Sequence, residues 1–554
     1  MSRELSTDVL IIGGGGAAGR AAIAAADAGA GTMMVLKKTL GTSGATAYKC
    51  CEMAGFNVPG CLDNGDSREK YLRDIMDAAL GMAEPGLPDI LANSAADRFE
   101  DLRRWGLQPA MEGGKPVVMK GCYSSIRRTY TIRGHGEPIM EALIGQIKKR
   151  PIKILENSMA VDLIVEDGRC CGAVILDEED KLLVVYARAV ILATGGGAQV
   201  FLNNLNPPDV SGDGYSLAYD SGAQLMNMEF MQAGIGFFHP IKSLFNTYLW
   251  EGIPHITNRF GENFLEKHLP EGISVLDVMS MHCKHFPFST RDISKYLEIA
   301  IQKEIESGGG TDRLCVPVSF AHFTDDYINS LTESIDLKQM WPMVVEHFKE
   351  NGVDILRDPL EITCVAQAVN GGIRTDKNAM SSIQGLFAAG ETAAGPHGAD
   401  RLGGNMMGTC QVFGEIAGRN AAEFALHAQS YRPPVDVENL KAVKLLHRSA
   451  ETDNMVLQLQ RTAQTKLFIC RSEEKLLQML ETSSLMLEKL ENSPYTPDVR
   501  RKNLELYFRI NTAGIMAKAA LERRESRGSH YREDYPEMDN DKFGRPIVLS
   551  RALH

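Results

Sequence analysis

The chain has 554 residues, enough for several domains at the usual ~100–200 residues each. Its 44% hydrophobic and 23% charged residues are globular proportions and exclude wholesale disorder. With 59 Lys plus Arg against 71 Asp plus Glu, the formal charge of -12 offers no basic excess for phosphates or anionic lipid, so nucleic acid is not an expected partner.

No stretch approaches the ~20 consecutive apolar residues that span a bilayer, and the N-terminus MSRELSTD has no apolar signal region. The expected location is cytoplasmic, without direct membrane insertion. The eleven cysteines run from Cys50 to Cys470 with adjacent pairs at Cys50-Cys51 and Cys170-Cys171 and no C-x-x-C spacing. This argues against any metal site, iron–sulfur cluster and structural zinc included, and against a thioredoxin-like centre here, and for reduced thiols packed as small apolar groups.

The first element reads DVLIIGGGGAAGRAAIAAADAGAGTMMVLKK from Asp8 to Lys38: an apolar strand, four glycines, an alanine-rich helix and a second strand ending at Leu36. Glycines at such a turn let the backbone approach a pyrophosphate, and the helix turns its positive N-terminus to that anion. Two registers satisfy G-x-G-x-x-G/A: Gly13, Gly15 and Ala18, or Gly14, Gly16 and Gly19. The first is preferred because Gly13 follows directly on the strand. Where an acid normally accepts from the adenosine ribose, the chain has Lys37 and Lys38; these are read as a solvated strand end, with a 2'-phosphate partner as the alternative.

Residues 68–107 carry helical periodicity, and 152–192 read as a strand meander returning to the parallel sheet at AVILATGGG, 189–197. From about 241 to 355 the pattern turns aromatic-rich and irregular, with a helix over roughly 291–306. Sheet-like segments resume with GGIRTD, and 437–525 reads as long helices. The expected fold is α/β: a Rossmann-like domain (1–240 and 356–432) interrupted by an α+β capping domain (241–355) and followed by a helical C-terminal domain with its tail (433–554).

Taken together the segments resemble the flavoprotein subunit of the succinate dehydrogenase and fumarate reductase family, which includes L-aspartate oxidase. The landmarks occur in that family's order along nearly the whole chain: DVLIIGGGG, AVILATGGG, SGDG at 211–214, NMEFMQ at 227–232, STRD at 289–292, GGIRTD at 371–376, GLFAAGE at 385–391, HGADRLGGN at 397–405 and ESRGSHYREDYP at 525–536. The resemblance implies FAD, with the pyrophosphate at Gly13, Gly15, Gly16, Ala17 and Ala18. Lys37 and Lys38, Ser43 to Thr46 (Ser43, Gly44, Ala45, Thr46), Ala160, Thr194, Gly195 and Asp213 complete its walls. Glu391 is implied at the cofactor's sugar or ribityl hydroxyls, and Asn405, Met406 and Met407 beside the flavin ring at a helix start. Many respiratory members carry the flavin on a histidine; the matching residue here is Ala45, so the cofactor is expected to be non-covalent.

For the substrate, the resemblance implies Arg401 as bidentate carboxylate anchor and Arg291, at a helix start, as proton donor. Two histidines depart from the pattern. His239 stands behind an insertion at 233–237, which as a loop would still deliver it, and the second position is Gln367, which cannot be cationic. His397, Asp400, His530 and Arg532 are further matching polar positions. The implied reaction is hydride transfer between flavin N5 and the activated double bond of a small carboxylic acid, with electrons passed through an iron–sulfur or other partner protein; peripheral membrane association through that partner is left open. An L-aspartate-oxidase-like small-acid oxidase and an FAD-bearing electron-transfer subunit without substrate turnover stay open as alternatives.

Overall fold

The computed structural model describes residues 3–332 and 335–551. Its first sheet is built on β1 (Arg3–Ile12), followed by α1 (Gly16–Asp27) and β2 (Thr32–Val35). β2 pairs parallel with β1 and with the edge strand β3 (Lys153–Leu155). The Val9–Ile12 run is buried, as expected for a parallel strand covered on both faces. The meander follows as β4 (Met159–Glu166), β5 (Arg169–Leu176) and β6 (Leu182–Leu192). β6 forks: Leu182–Tyr186 pairs antiparallel with β5, while Val190–Leu192 pairs parallel with the strand Leu386–Ala388. Along its other edge β6 runs parallel to β1 from Leu183 to Leu192.

Small residues let helices lie close under this sheet. In α2 (Asn405–His427), a Cβ on Gly414 would sit 2.8 Å from the Ala17 carbonyl oxygen, and one on Gly418 would sit 2.2 Å from that of Ala21. The alanine run of α1 thus packs backbone to backbone on α2, which fixes both helix starts at one mouth of the sheet.

A second, five-stranded antiparallel sheet centres on β7 (Met231–His239) and β8 (Leu360–Val369), joined by Ser243–Leu244, Val316–Ser319 and His255–Ile256. Its two central strands lie outside the 241–355 span read from the sequence. The helix read over 291–306 begins at Lys295 and passes into a π turn at Ile305–Gly309, so Arg291 lies in the turn before it. Helices at Thr452–Lys466, Glu473–Glu491 and Arg501–Glu522 form the C-terminal layer.

Candidate functional site

A cavity with about 1190 Å³ of empty space runs from the end of β1 to the start of α2. At one end Gly13 has φ +137°, and a Cβ there would lie 2.1 Å from the Ala193 carbonyl oxygen. Gly15 caps α1, and a Cβ on it would meet nothing nearer than Thr46 Oγ1 at 3.7 Å. Gly16 N–H donates to that hydroxyl at 3.1 Å. Gly13, Gly15, Gly16 and Ala17 line the cavity, whereas Ala18 is fully buried behind it. A tight turn, an open-faced glycine and a close-packed third residue follow the first register.

Lys37 lines the cavity but is not solvated: its Nζ pairs with Asp213 at 3.2 Å and donates to Ser211 Oγ at 2.7 Å. Lys38 pairs with Asp209 at 3.0 Å. Lys37 is thus ion-paired and largely covered, while Lys38 stays exposed as well as paired, and a 2'-phosphate would have to compete with Asp213 and Asp209. Asp209 also accepts from Gly44 N–H at 2.8 Å and from Ser43 Oγ at 3.3 Å, which holds the Ser43–Thr46 loop over the glycines. Ala160, Thr194 and Gly195 lie along the cavity, with Thr194 Oγ1 sharing a 2.8 Å hydrogen bond with Thr392 Oγ1.

Glu391 is held in the same wall. Its Oε1 accepts from Val369 N–H at 2.9 Å, and a Cβ on Gly196 would overlap it at 1.9 Å. Burial pushes its carboxyl up to about 7. Met406 and Met407 line the far end with Ala45 and Thr46. Asn405 does not: its side chain turns away, Oδ1 accepting from Asn57 Nδ2 and from the Tyr71 hydroxyl, both at 2.6 Å. It anchors the start of α2 from behind.

Arg401 enters this cavity without a direct carboxylate ion pair among the described residues, Glu391 in the same wall attracting it from farther off. Its Nε and Nη2 donate to Gln232 Oε1 at 3.0 and 2.6 Å, a neutral acceptor, and burial lowers its proton affinity. Gln367 also lines the cavity, and its Oε1 is buried without a partner. Arg291 stays outside the lining. It pairs with Asp400 at 3.1 Å, donates through Nη2 to the carbonyls of Asp77 and Ala78, and lies 4.5 Å over the Tyr123 ring. Asp400 also accepts from Ser289 Oγ at 2.7 Å.

His239 is not delivered. Residues 233–237 are strand rather than loop, and β7 pairs with β8 from Met231 to His239. At ~3.3 Å per residue, the seven residues from Gln232 carry His239 about 20 Å along the strand, and it does not line the cavity. His397 is buried, its ring kept neutral by burial and by Arg401, with Nε2 3.3 Å from Thr409 Oγ1. His530 lies between Arg471, whose Nη1 is 2.6 Å from Nδ1, and the Arg523 carbonyl; Arg532 pairs with Asp534. These last two brace the C-terminal segment.

Gln232, Asp209, Asn206, Cys50 and His135 are placed in the site by the structure alone. Gln232 lay inside NMEFMQ, where an amide next to a buried guanidinium could have been sought; no spacing joins Cys50 to His135.

The FAD binding domain family matches residues 8–407, and the family described as fumarate reductase flavoprotein C-term matches residues 456–551. An uncharacterised FAD-dependent oxidoreductase of Methanocaldococcus jannaschii is 32% identical over 99% of this chain and 97% of its own. A fumarate reductase (CoM/CoB) subunit from Methanothermobacter marburgensis is 30% identical over the same shares, 99% and 97%. A point variant of E. coli quinol fumarate reductase superposes with a TM-score of 0.82 at 25% identity, covering 99% of this chain and 95% of that one.

Proposed function

The chain belongs to the fumarate reductase and succinate dehydrogenase flavoprotein family and is an FAD-dependent oxidoreductase; on that premise we propose that it reduces the activated double bond of a small unsaturated carboxylic acid. The observation that carries this is Arg401: a buried guanidinium in the cofactor cavity whose hydrogen-bond partner is neutral. A buried guanidinium without a directly bonded carboxylate is costly, and a substrate carboxylate would supply that partner in a bidentate geometry. Gln367, with an unpaired amide oxygen in the same wall, offers its amide to a second polar group, but no second cation. The substrate class is therefore one with a single firmly held carboxylate, fumarate or a larger enoic acid.

The residues fit FAD: an open glycine face at the start of α1, a buried carboxyl at Glu391 for hydroxyl donors, and the start of α2 at the far end. Bound there, FAD supplies the hydride. Gly15 and Gly16 would face the pyrophosphate, and the α2 start, with Met406 and Met407, would face the ring. Proton delivery falls to Arg291 once its guanidinium turns from the Asp77 and Ala78 carbonyls into the cavity, with Asp400 at 3.1 Å as the acid that resupplies it. Ala45 offers no nucleophile where many respiratory members have the flavin-linking histidine, which supports a cofactor held without a covalent bond; acid precipitation should release all of the flavin to the supernatant. The naming of the M. marburgensis relative as one subunit of its enzyme supports a partner protein as electron donor. No helix among the described residues is long and apolar enough to cross a membrane.

The test is anaerobic mixing of the photoreduced protein with fumarate and then with larger enoic acids. Return of the oxidised flavin spectrum at rates that saturate with one acid identifies the substrate. Reoxidation by oxygen alone would replace this reading with that of an oxidase.

A further inference from the structure

One cluster in the cavity wall has no part in the chemistry above. Cys50, Cys51 and His135 bring their two Sγ atoms and a ring nitrogen within 4.8 Å of one another, with Cys50 Sγ 3.7 Å from His135 Nε2. Cys50 and His135 line the flavin cavity beside Thr46 and Met407. The other adjacent pair shows why this is unusual: Cys170 and Cys171 sit in β5, where neighbouring side chains point to opposite faces. Cys50 and Cys51 precede the strand Met53–Asn57 and are turned towards each other.

The segment is tied down. Cys50 O accepts from Leu244 N–H at 3.0 Å and Glu52 O from Gly134 N–H at 3.1 Å. The Glu52 carboxylate is buried against Asn246 Nδ2 and the Tyr248 hydroxyl. His135 itself is held at φ +60°, a left-handed conformation unfavourable for a residue with a side chain. The two thiols are made unlike. The adjoining Cys51 and then His135, whose Nε2 is 3.7 Å from its Sγ, hold Cys50 well below the ordinary thiol range against the effect of burial; Cys51, whose thiol donates to the Met53 carbonyl at 2.8 Å, is pushed well above it by Cys50 and by burial.

We propose that Cys50 and Cys51 are a redox-active pair that exchanges two electrons with the bound flavin, with His135 as the positioning residue for Cys50. In the forward sense the two thiols lose two electrons and two protons as an Sγ–Sγ bond forms; the electron pair and one proton pass to FAD, and the second proton passes to solvent. The reverse step restores the dithiol from reduced flavin. The pair stores a second electron pair beside the one carried by FAD. The proposal rests on FAD in this cavity and not on the identity of the acid substrate.

The test is an anaerobic dithionite titration of the oxidised holoenzyme. Wild type should take up four electrons per FAD, and Cys50→Ser or Cys51→Ser two, with the flavin spectrum and melting temperature of each variant showing that it has folded. The two-electron form should absorb beyond the flavin's own bands, from the Cys50 thiolate against oxidised flavin. His135→Gln should keep the electron count and lose that absorption. After oxidation, alkylation under denaturing conditions and mass spectrometry should leave only Cys50 and Cys51 unlabelled. Uptake of two electrons by wild type, or labelling of both thiols after oxidation, overturns the proposal. So does a stoichiometric metal ion in the purified protein that is lost from Cys50→Ser and His135→Gln, which would make the cluster a cation site.

Discussion

Arg401 and Glu391 face the same cavity with opposite electrostatic problems. Arg401 has no directly bonded carboxylate, so Arg401→Lys keeps a charge but not the planar fork, and Arg401→Ala removes both. Both variants should retain FAD, with kcat/KM for the acid down roughly 10²-fold or more, as for a charged hydrogen bond worth about 3 kcal/mol; steady-state kinetics on flavin-replete protein checks this. Unchanged kinetics would take Arg401 out of substrate binding. Glu391 lacks hydroxyl donors until a cofactor supplies them, and its carboxyl stands at about 7. A raised carboxyl favours the folded state fully below the ordinary value of about 4.5 and loses that contribution as pH rises through 7. Cofactor-free wild type should therefore lose about 3 kcal/mol more stability than Glu391→Gln between pH 4 and 8, measured as the difference between their melting curves. Parallel curves would mean the carboxyl is not buried as described.

At the scale of elements, β1, α1 and α2 meet at a mouth built from absent side chains, and two glycines there do different work. Gly13 turns the chain at φ +137° against the Ala193 carbonyl, so Gly13→Ala overlaps backbone and should fail to fold or melt far below wild type. At Gly15 a Cβ has room in the protein but projects over the cofactor face, so Gly15→Ala should keep the apoprotein's melting temperature and lose FAD. Circular dichroism and flavin content of the two variants separate these outcomes; a flavin-replete Gly15→Ala would move the pyrophosphate elsewhere. The same elements show what a sequence can reveal. A glycine-rich turn between apolar strands is written locally, and so were β1, α1, β2 and the meander. The extension of β7 through residues 233–237 was not, because Ala-Gly-Ile-Gly reads as loop until β8, more than a hundred residues later, supplies the pairing partner. His239 was lost to the site by that pairing, and Gln232 gained. Likewise the Lys37–Asp213 and Lys38–Asp209 pairs needed the fold to bring the partners together.

For the whole molecule, the cavity wall draws on residues 12–17, 158–160, 193–195, 367–368, 389–391, 401, 406–407 and 410, so one ligand bridges segments that the chain keeps hundreds of residues apart. The five-stranded antiparallel sheet takes part through β7 and β8, which carry Gln232 to Arg401 and Gln367 to the cavity. FAD bound across these segments should stabilise the Rossmann core and this sheet together. A ligand at a hundred times its dissociation constant contributes about 2.7 kcal/mol, which for domains of this size raises the melting temperature by about 2–4 °C. Scanning calorimetry should then show the whole transition moving upward on adding FAD, and proteolysis of the 240–355 segment should slow in step with it. If the capping segment is cut equally fast with and without FAD, the contacts of β7 and β8 with the cavity do not couple the two domains, and the placement of Arg401 by Gln232 must be independent of the cofactor.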